Sequence, residues 1–191
     1  TITGNTIGSA TATDYVTFRG LLVSQTNNAV IRQNTVFNMI TTEAIVLRAM
    51  EFGAGVTNTE IARNLIYNIE YVGTGFRAGQ GISVTTTNPA NITIANNVIY
   101  GLKGHGSGTM TNNSLGIAVL GGGGYNIYFN SVNISDNRTT TARSDLHAAM
   151  YIASGVTNIN MRNNAFSMTA LPGNLTTGKT YGIYCLSANT A

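Results

Sequence analysis

Residues 91–102 read NITIANNVIYGL, and a short motif inside this segment recurs along the chain. The motif is an apolar residue, two further residues, an asparagine, one residue and a second apolar residue, here Ile94, Asn97 and Ile99. Its asparagine occurs six times, separated by 29, 30, 33, 33 and 34 residues, as Asn5, Asn34, Asn64, Asn97, Asn130 and Asn164. A recurrence of this kind indicates a protein built from stacked structural repeats.

A second apolar pair lies about half a period away from each motif. Its members are Val16 and Phe18, Ile45 and Leu47, Ile82 and Val84, Ile117 and Val119, Met150 and Ile152, and Ile183 and Cys185. Both kinds of pair alternate with period two, which is typical of strands with one buried face, and no window keeps a helical period. We therefore predict an all-β fold, a right-handed parallel β-helix of about six coils with roughly 29–37 residues per coil and almost no helix.

The recurring asparagine has a physical role in such a fold. Asparagine tolerates the left-handed backbone conformation of a sharp bend, and its amide both donates and accepts hydrogen bonds. Identical asparagines in adjacent coils can therefore bond to one another along the solenoid. We predict that the six motif asparagines form an internal ladder; the alternative is a set of surface turn residues without a ladder.

Composition limits the class of protein. The chain has 191 residues, of which 43% are apolar and only 9% charged, and its net charge of +3 is spread without a basic run. Nucleic-acid binding therefore has little support. The apolar runs are shorter than the roughly 20 residues of a membrane span, so we expect no membrane insertion. Cys185 is the single cysteine, so an internal disulfide is excluded, and we expect it to be a small core residue.

Both ends of the chain fall inside the repeat pattern. The first motif lacks its preceding strand, and the last predicted strand, residues 182–185, ends shortly before Ala191. We therefore expect a single β-helix domain, residues 1–191, that is a fragment of a longer solenoid or stacks end to end on neighbouring β-helix segments.

Three segments resemble a known family: residues 91–102 (NITIANNVIYGL), 126–135 (NIYFNSVNIS) and 155–166 (GVTNINMRNNAF). They resemble the parallel β-helix repeats of the pectate-lyase-like superfamily, and they are most similar to repetitive segments of very large bacterial secreted or surface proteins. The resemblance implies an exported, modular protein located outside the cell or at the cell surface. The superfamily contains lyases, hydrolases, adhesins and stalks, so it leaves the activity open.

The resemblance also implies which residues an enzyme of this kind would need. Lyases of the superfamily hold calcium with several aspartates, but here no aspartate lies between Asp14 and Asp136. Hydrolases resemble one another in four motifs, of which this chain has only Gly104-His105-Gly106, without the carboxylate pair that acts as acid and base. We therefore expect no metal and no cofactor.

One polar cluster remains as a source of catalysis. It consists of Asp136, Arg138, Arg143, Asp145 and His147. Asp145 and His147 can pair as orienting group and base, or bind a metal together with His105 of the neighbouring coil. The alternative is a salt-bridged surface loop. The sequence thus assigns no catalytic residue, and Asp145, His147 and His105 are the remaining candidates.

Aromatic residues indicate a different kind of site. Phe37, Tyr67 and Tyr100 each lie three residues after a motif asparagine, so stacking predicts an outward column with rings about 4.8 Å apart. Tyr151 and Tyr184 predict a shorter column. Such rings can stack on sugars, and the charged segments 68–80 and 101–115, predicted as loops on one edge, add Arg77 and Lys103. The alternative is that the rings only stabilise the sheet.

These observations favour a non-catalytic extracellular β-solenoid module, a stalk or adhesin in a bacterial surface or secreted protein that contacts glycans. The first alternative is a polysaccharide lyase or glycoside hydrolase of the same superfamily. The second is a self-assembling filament subunit. The expected partners are polysaccharides or neighbouring β-helix segments.

Overall fold

A computed structural model of the chain describes residues 1–87, 89–136, 145–171 and 177–187. Within these ranges the chain forms 18 strands and two three-residue 3-10 helices, Ala12–Asp14 and Met110–Asn112. The strands make three parallel sheets of six strands each, and every coil contributes one strand to each sheet. The prediction of an all-β parallel solenoid with almost no helix is therefore confirmed.

The three sheets follow one another around each coil. Sheet 1 contains β1 (Ile2–Thr3), β4 (Val30–Arg32), β7 (Glu60–Ala62), β10 (Ile92–Ala95), β13 (Gly123–Tyr128) and β16 (Thr157–Arg162). Sheet 2 contains β2 (Thr6–Ile7), β5 (Thr35–Thr41), β8 (Leu65–Tyr71), β11 (Val98–Lys103), β14 (Ser131–Ile134) and β17 (Ala165–Met168). Sheet 3 contains β3 (Arg19–Val23), β6 (Leu47–Phe52), β9 (Gly79–Val84), β12 (Leu115–Val119), β15 (Leu146–Ile152) and β18 (Lys179–Cys185).

The core consists of rows of aliphatic side chains in register from coil to coil. Ile94 on β10 lies between Ile61 and Ile127, and all three are fully buried. In sheet 2, Ile99 lies in the same way between Ile66 and Val132. Burying each such side chain stabilises the fold by about 1.5–3 kcal/mol, so these rows supply much of the favourable free energy of folding.

The predicted register of sheet 3 is wrong in the first two coils. Met50, and not Ile45, pairs with Ile82, and its partner on the preceding coil is Leu21. Phe18, predicted to face the core, is 51% exposed. Residues 15–23 and 44–52 each contain two apolar pairs with strand alternation, and the second pair begins five residues after the first. The sequence does not distinguish the two pairs, and packing against sheet 2 selects the second.

The asparagine ladder is confirmed, but the left-handed residue is not the ladder asparagine. In every coil the residue before the ladder asparagine has a positive φ, as in Gln33 (57°) and Phe129 (56°). This bend turns the next side chain inward, and Asn34 and Asn130 are 1% and 0% exposed. A second, turn-forming asparagine does adopt the left-handed conformation, at Asn28, Asn58, Asn91 and Asn158.

Two further expectations from the sequence are corrected. The segments predicted as loops, 68–80 and 101–115, are shorter, because the strands of sheet 2 extend into them; Glu70 lies in β8 and Lys103 in β11. Cys185 is exposed although it belongs to an inward row of sheet 3 next to Ile152, because the side chains of the sixth described coil are only partly covered. Among the described residues, no helix has the length and hydropathy needed to cross a membrane.

Candidate functional site

An aromatic column lies on the outer face of sheet 2. Phe37, Tyr67 and Tyr100 are equivalent residues of β5, β8 and β11 and pair in register. The ring centroids of Phe37 and Tyr67 are 5.4 Å apart, and those of Tyr67 and Tyr100 are 5.3 Å apart, with interplanar angles of 27° and 8°. The predicted column is present, and its rings use their faces mainly to stack on one another.

Tyr100 is the last ring of this column, whereas Tyr67 has a ring on each side. On the opposite side of the column, Gly8 of the first coil lies close to Phe37, since a Cβ added to Gly8 would come within 2.8 Å of Phe37 Cδ1. The next outward residue beyond Tyr100 in the register is Asn133, and the one after it is Ser167. The Tyr100 side chain is accordingly 42% exposed.

A shallow depression of about 450 Å³ begins at the free side of Tyr100, and we call it the sheet 2 trough. Its outward side chains are Val98, Tyr100, Ser131, Asn133, Ala165 and Ser167. The trough exists because the outward residues become smaller from β11 to β17, from Tyr through Asn to Ser in one row. Among the described residues, no charged side chain lines it.

The two cations predicted to assist the aromatic column lie elsewhere. Lys103 is on β11, three residues after Tyr100, and its Nζ is 3.8 Å from a carboxylate oxygen of Glu70. Arg77 lies in the segment before β9, where its guanidinium donates to the backbone oxygen of Phe76 at 2.8 Å. The structure therefore brings the three aromatic residues together without Arg77 or Lys103, and a role of any of them in carbohydrate binding stays a prediction.

The second aromatic pair differs from its prediction. The rings of Tyr151 and Tyr184 stack at 5.8 Å on the outer face of sheet 3, but Tyr151 is only 6% exposed. It packs in an outer apolar cluster with Met110, which belongs to the segment between β11 and β12 that folds over this face. Burial, and to a lesser extent the neighbouring Tyr184, raise the pKa of Tyr151 above its ordinary value.

Asp145 and His147 form the predicted pair, but in a closed environment. His147 Nε2 lies 3.1 Å from Asp145 Oδ2, and His147 Nδ1 accepts the backbone N–H of Ser114 at 3.1 Å. Because a backbone N–H is always a donor, the imidazole proton lies on Nε2 and is donated to the carboxylate. Both residues are 1% exposed. A general base must reach its substrate, and here both ring nitrogens have structural partners.

Sequence reasoning missed Ser114, which lies beside this pair. Its hydroxyl is buried and has no hydrogen-bond partner among the described residues, and its backbone N–H faces the imidazole. The pairing register of β12 and β15 could have revealed it, because Leu115 pairs with Ala148 and so places Ser114 opposite His147. Ser114, His147 and Asp145 are therefore the residue types of a catalytic triad and lie side by side. The Ser114 hydroxyl, however, makes no hydrogen bond to the His147 imidazole.

The remaining members of the predicted polar cluster have structural contacts or fall outside the described residues. Asp136 Oδ2 accepts the backbone N–H of Gly104, so the Gly-His-Gly segment is held to the next coil. His105 follows it and is partly buried. Arg138 and Arg143 lie outside the described residues. Within the described part of the chain, no three His, Cys, Asp or Glu side chains converge as metal ligands.

A charged network on the outer face of sheet 3 was also missed. Arg19 donates to the carboxylate of Glu51, and Arg48 donates to Glu51 at 3.4 Å and to Gln80 Oε1 at 3.1 Å. Burial and the charge of Arg48 lower the pKa of Arg19 to about 10. Burial also lowers the pKa of Arg48. The network joins the first three coils and uses its only described carboxylate to neutralise two guanidinium groups.

Comparison of the chain with protein-family models, with curated proteins and with solved structures gives no match. The parallel solenoid and its ladder follow from the strand pairing and hydrogen bonds alone. The relationship to the pectate-lyase-like superfamily and the bacterial origin stay predictions.

Proposed function

We propose that the chain is a non-catalytic, extracellular β-solenoid module that acts as a stalk or adhesin-like scaffold and presents its outer faces to polysaccharides. The observation that supports this most is the closed environment of Asp145 and His147. These residues are two of the three remaining catalytic candidates from the sequence, and both are 1% exposed, with hydrogen bonds to partners inside the protein.

The hydrogen bonding between coils supports a role as a spacer. Each internal coil shares backbone hydrogen bonds with two neighbours in all three sheets, and the asparagine ladder adds buried side-chain bonds along the same axis. Local opening of one coil therefore breaks bonds in its neighbours as well. A bacterial surface or secreted protein of the pectate-lyase-like superfamily is the setting that fits this proposal.

A turnover screen distinguishes the scaffold from the enzymatic alternative. The purified chain is incubated with pectin, alginate, chondroitin and xylan, and unsaturated products and reducing ends are measured. We expect no turnover above that of heat-denatured protein. Turnover that is lost in Asp145→Asn or His147→Gln, with an unchanged far-ultraviolet circular dichroism spectrum, would instead establish a lyase or hydrolase.

The filament alternative has its own readout. Electron microscopy and light scattering of the purified chain, over a range of concentrations, test whether it assembles. Regular filaments would support a self-assembling subunit over an isolated scaffold module.

A further inference from the structure

The end of the aromatic column is the feature of the outer surface that most resembles a ligand platform. Tyr100 stacks on Tyr67 through one face, and its other face is directed along the solenoid towards the smaller side chains of β14 and β17. We propose that the sheet 2 trough binds a neutral polysaccharide, with one sugar ring stacked on the free face of Tyr100. This inference rests on the proposed glycan-contacting function and names its site and ligand class.

The lining of the trough matches the two kinds of surface that a sugar ring has. The C–H groups on one face of a pyranose are apolar and pack against an aromatic ring, and its hydroxyl groups require hydrogen-bond partners. Val98, two residues before Tyr100 on β11, and Ala165 on β17 provide further apolar surface in the trough. Ser131, Asn133 and Ser167 provide exposed hydroxyl and amide groups, which both donate and accept.

The charge of the surface indicates that the ligand is neutral. Among the described residues, the trough contains no cation that could neutralise a uronate or sulfate group. Lys103, on the strand that carries Tyr100, lies 3.8 Å from the Glu70 carboxylate and forms an ion pair with it. An anionic chain would therefore lose hydration without gaining a counter-charge from the residues that line the described trough.

The geometry also favours an extended sugar chain over a protein segment. Adjacent coils are about 4.8 Å apart, so the three strands of the trough span about 10 Å along the solenoid. A volume of about 450 Å³ is within the usual range of small-ligand sites. A peptide strand would need a free sheet edge, but the trough is on a face where β14 is already paired on both sides.

Titration with defined oligosaccharides tests the proposal on the whole chain. The probes are cellohexaose, xylohexaose and mannohexaose, with hexagalacturonate as the anionic comparison. Binding is followed by calorimetry and by tyrosine emission, which is directly readable because the chain has no tryptophan. We expect saturable binding of at least one neutral hexasaccharide, at least about tenfold tighter than that of hexagalacturonate, and a change in tyrosine emission.

Matched substitutions in the same column locate the site. Tyr100→Leu removes the free ring face and should weaken binding at least about tenfold. Phe37→Leu makes a comparable change two coils away and should leave the affinity within about twofold. Ser131→Phe keeps Tyr100 but fills the trough, so it should also abolish binding. Thermal unfolding of each variant shows whether the fold is retained.

Several outcomes would overturn the inference. These are no binding of any neutral hexasaccharide, a preference for hexagalacturonate, or equal loss in the Phe37→Leu and Tyr100→Leu variants. None of them alters the absence of turnover expected for a scaffold. Conversely, turnover in the polysaccharide screen would overturn the non-catalytic function while leaving the position of the binding site to be decided by Tyr100→Leu and Ser131→Phe.

Discussion

The side-chain oxygen of Asn97 accepts two hydrogen bonds from Asn64, one from its backbone N–H at 3.0 Å and one from its Nδ2 at 2.9 Å. Asn97 in turn donates through its own Nδ2 to Asn130 Oδ1 and to the backbone oxygen of Ile61, both at 2.9 Å. One buried amide therefore joins three coils and pairs backbone groups that the bend would otherwise leave without partners.

Replacement of Asn97 should be strongly destabilising. In Asn97→Ala, the buried N–H groups of Asn64 and the oxygen of Ile61 lose their partners, and we expect the free energy of unfolding to fall by about 2–4 kcal/mol. Urea unfolding followed by circular dichroism measures the change. Asn133→Ala, at an exposed position, is the control and should cost less than about 0.5 kcal/mol. Equal losses in the two variants would contradict a contribution of the ladder to the stability of the fold.

A row of small residues in sheet 3 sets how closely the sheets approach. A Cβ added to Gly116 would clash with Val132 Cγ1 and with the backbone oxygen of Ala149, whereas one added to Gly182 meets nothing within 4 Å. We therefore expect Gly116→Ala to cost about 1–3 kcal/mol. Gly182→Ala, in the same strand position two coils on, should change stability by less than about 0.5 kcal/mol. Thermal and urea unfolding test both, and similar losses would refute the steric explanation.

Buried tyrosines should make the fold sensitive to alkali. Tyr125 is 1% exposed, its hydroxyl donates to Gly121 O, and burial raises its pKa above the ordinary value of 10. The unfolded chain therefore loses this proton at lower pH than the folded chain, so the stabilisation is complete below pH 10 and is lost as pH rises beyond it. Tyr151, whose pKa is also raised, acts in the same direction.

The variant Tyr125→Phe tests this assignment. At pH 7 it should lose about 1 kcal/mol, because the hydrogen bond to Gly121 is removed. Between pH 10 and 11.5 its stability should fall less steeply than that of the unmodified chain. Tyr128→Phe is the control, because Tyr128 is a tyrosine of the same strand, β13, whose side chain is partly exposed. Parallel pH profiles for the Tyr125→Phe variant and the unmodified chain would show that Tyr125 does not contribute.

The sequence predicts sheets 1 and 2 well because two features repeat at constant offsets. Apolar residues three before and two after each ladder asparagine, such as Ile94 and Ile99, appear as paired core rows. Sheet 3 is harder to predict, because a segment of variable length separates it from sheet 2. In the second coil that segment made Ile45 look equivalent to Ile82, although the paired residue is Met50.

The candidate site was predictable only in part, for a related reason. Tyr100 and the equivalent residues of the next two coils, Asn133 and Ser167, all lie three residues after a ladder asparagine. The sequence alone therefore predicts that no aromatic ring follows Tyr100 in the column. The burial of His147 could not be predicted from the sequence, because it depends on how the segment between β11 and β12 folds onto sheet 3. That segment has no repeat to constrain it.

The segment that covers the outer face of sheet 3 is held mainly by Asn113. Its Oδ1 accepts the N–H groups of Ser107 and Leu146 at 3.0 and 2.7 Å, and its Nδ2 donates to backbone oxygens of Ser107 and Thr109, both at 2.8 Å. The Nδ2 group also donates to the backbone oxygen of Met110 at 3.2 Å. Five bonds to one fully buried side-chain amide thus join the covering segment to itself and to β15.

Asn113→Ala should therefore release the covering segment while leaving the solenoid folded. We expect faster amide exchange and proteolysis in residues 104–113, with ladder amides such as that of Asn97 still protected. Tyr151 should become more exposed, and its raised pKa should move down towards the ordinary value of 10 in an ultraviolet titration. Asn112→Ala is the matched control, because the Asn112 side chain makes one hydrogen bond to the described part of the chain, to Ser107 Oγ at 3.1 Å. Faster exchange throughout the chain in Asn113→Ala would show instead that this amide supports the whole fold, and an unchanged Tyr151 titration would show that the covering segment does not depend on it.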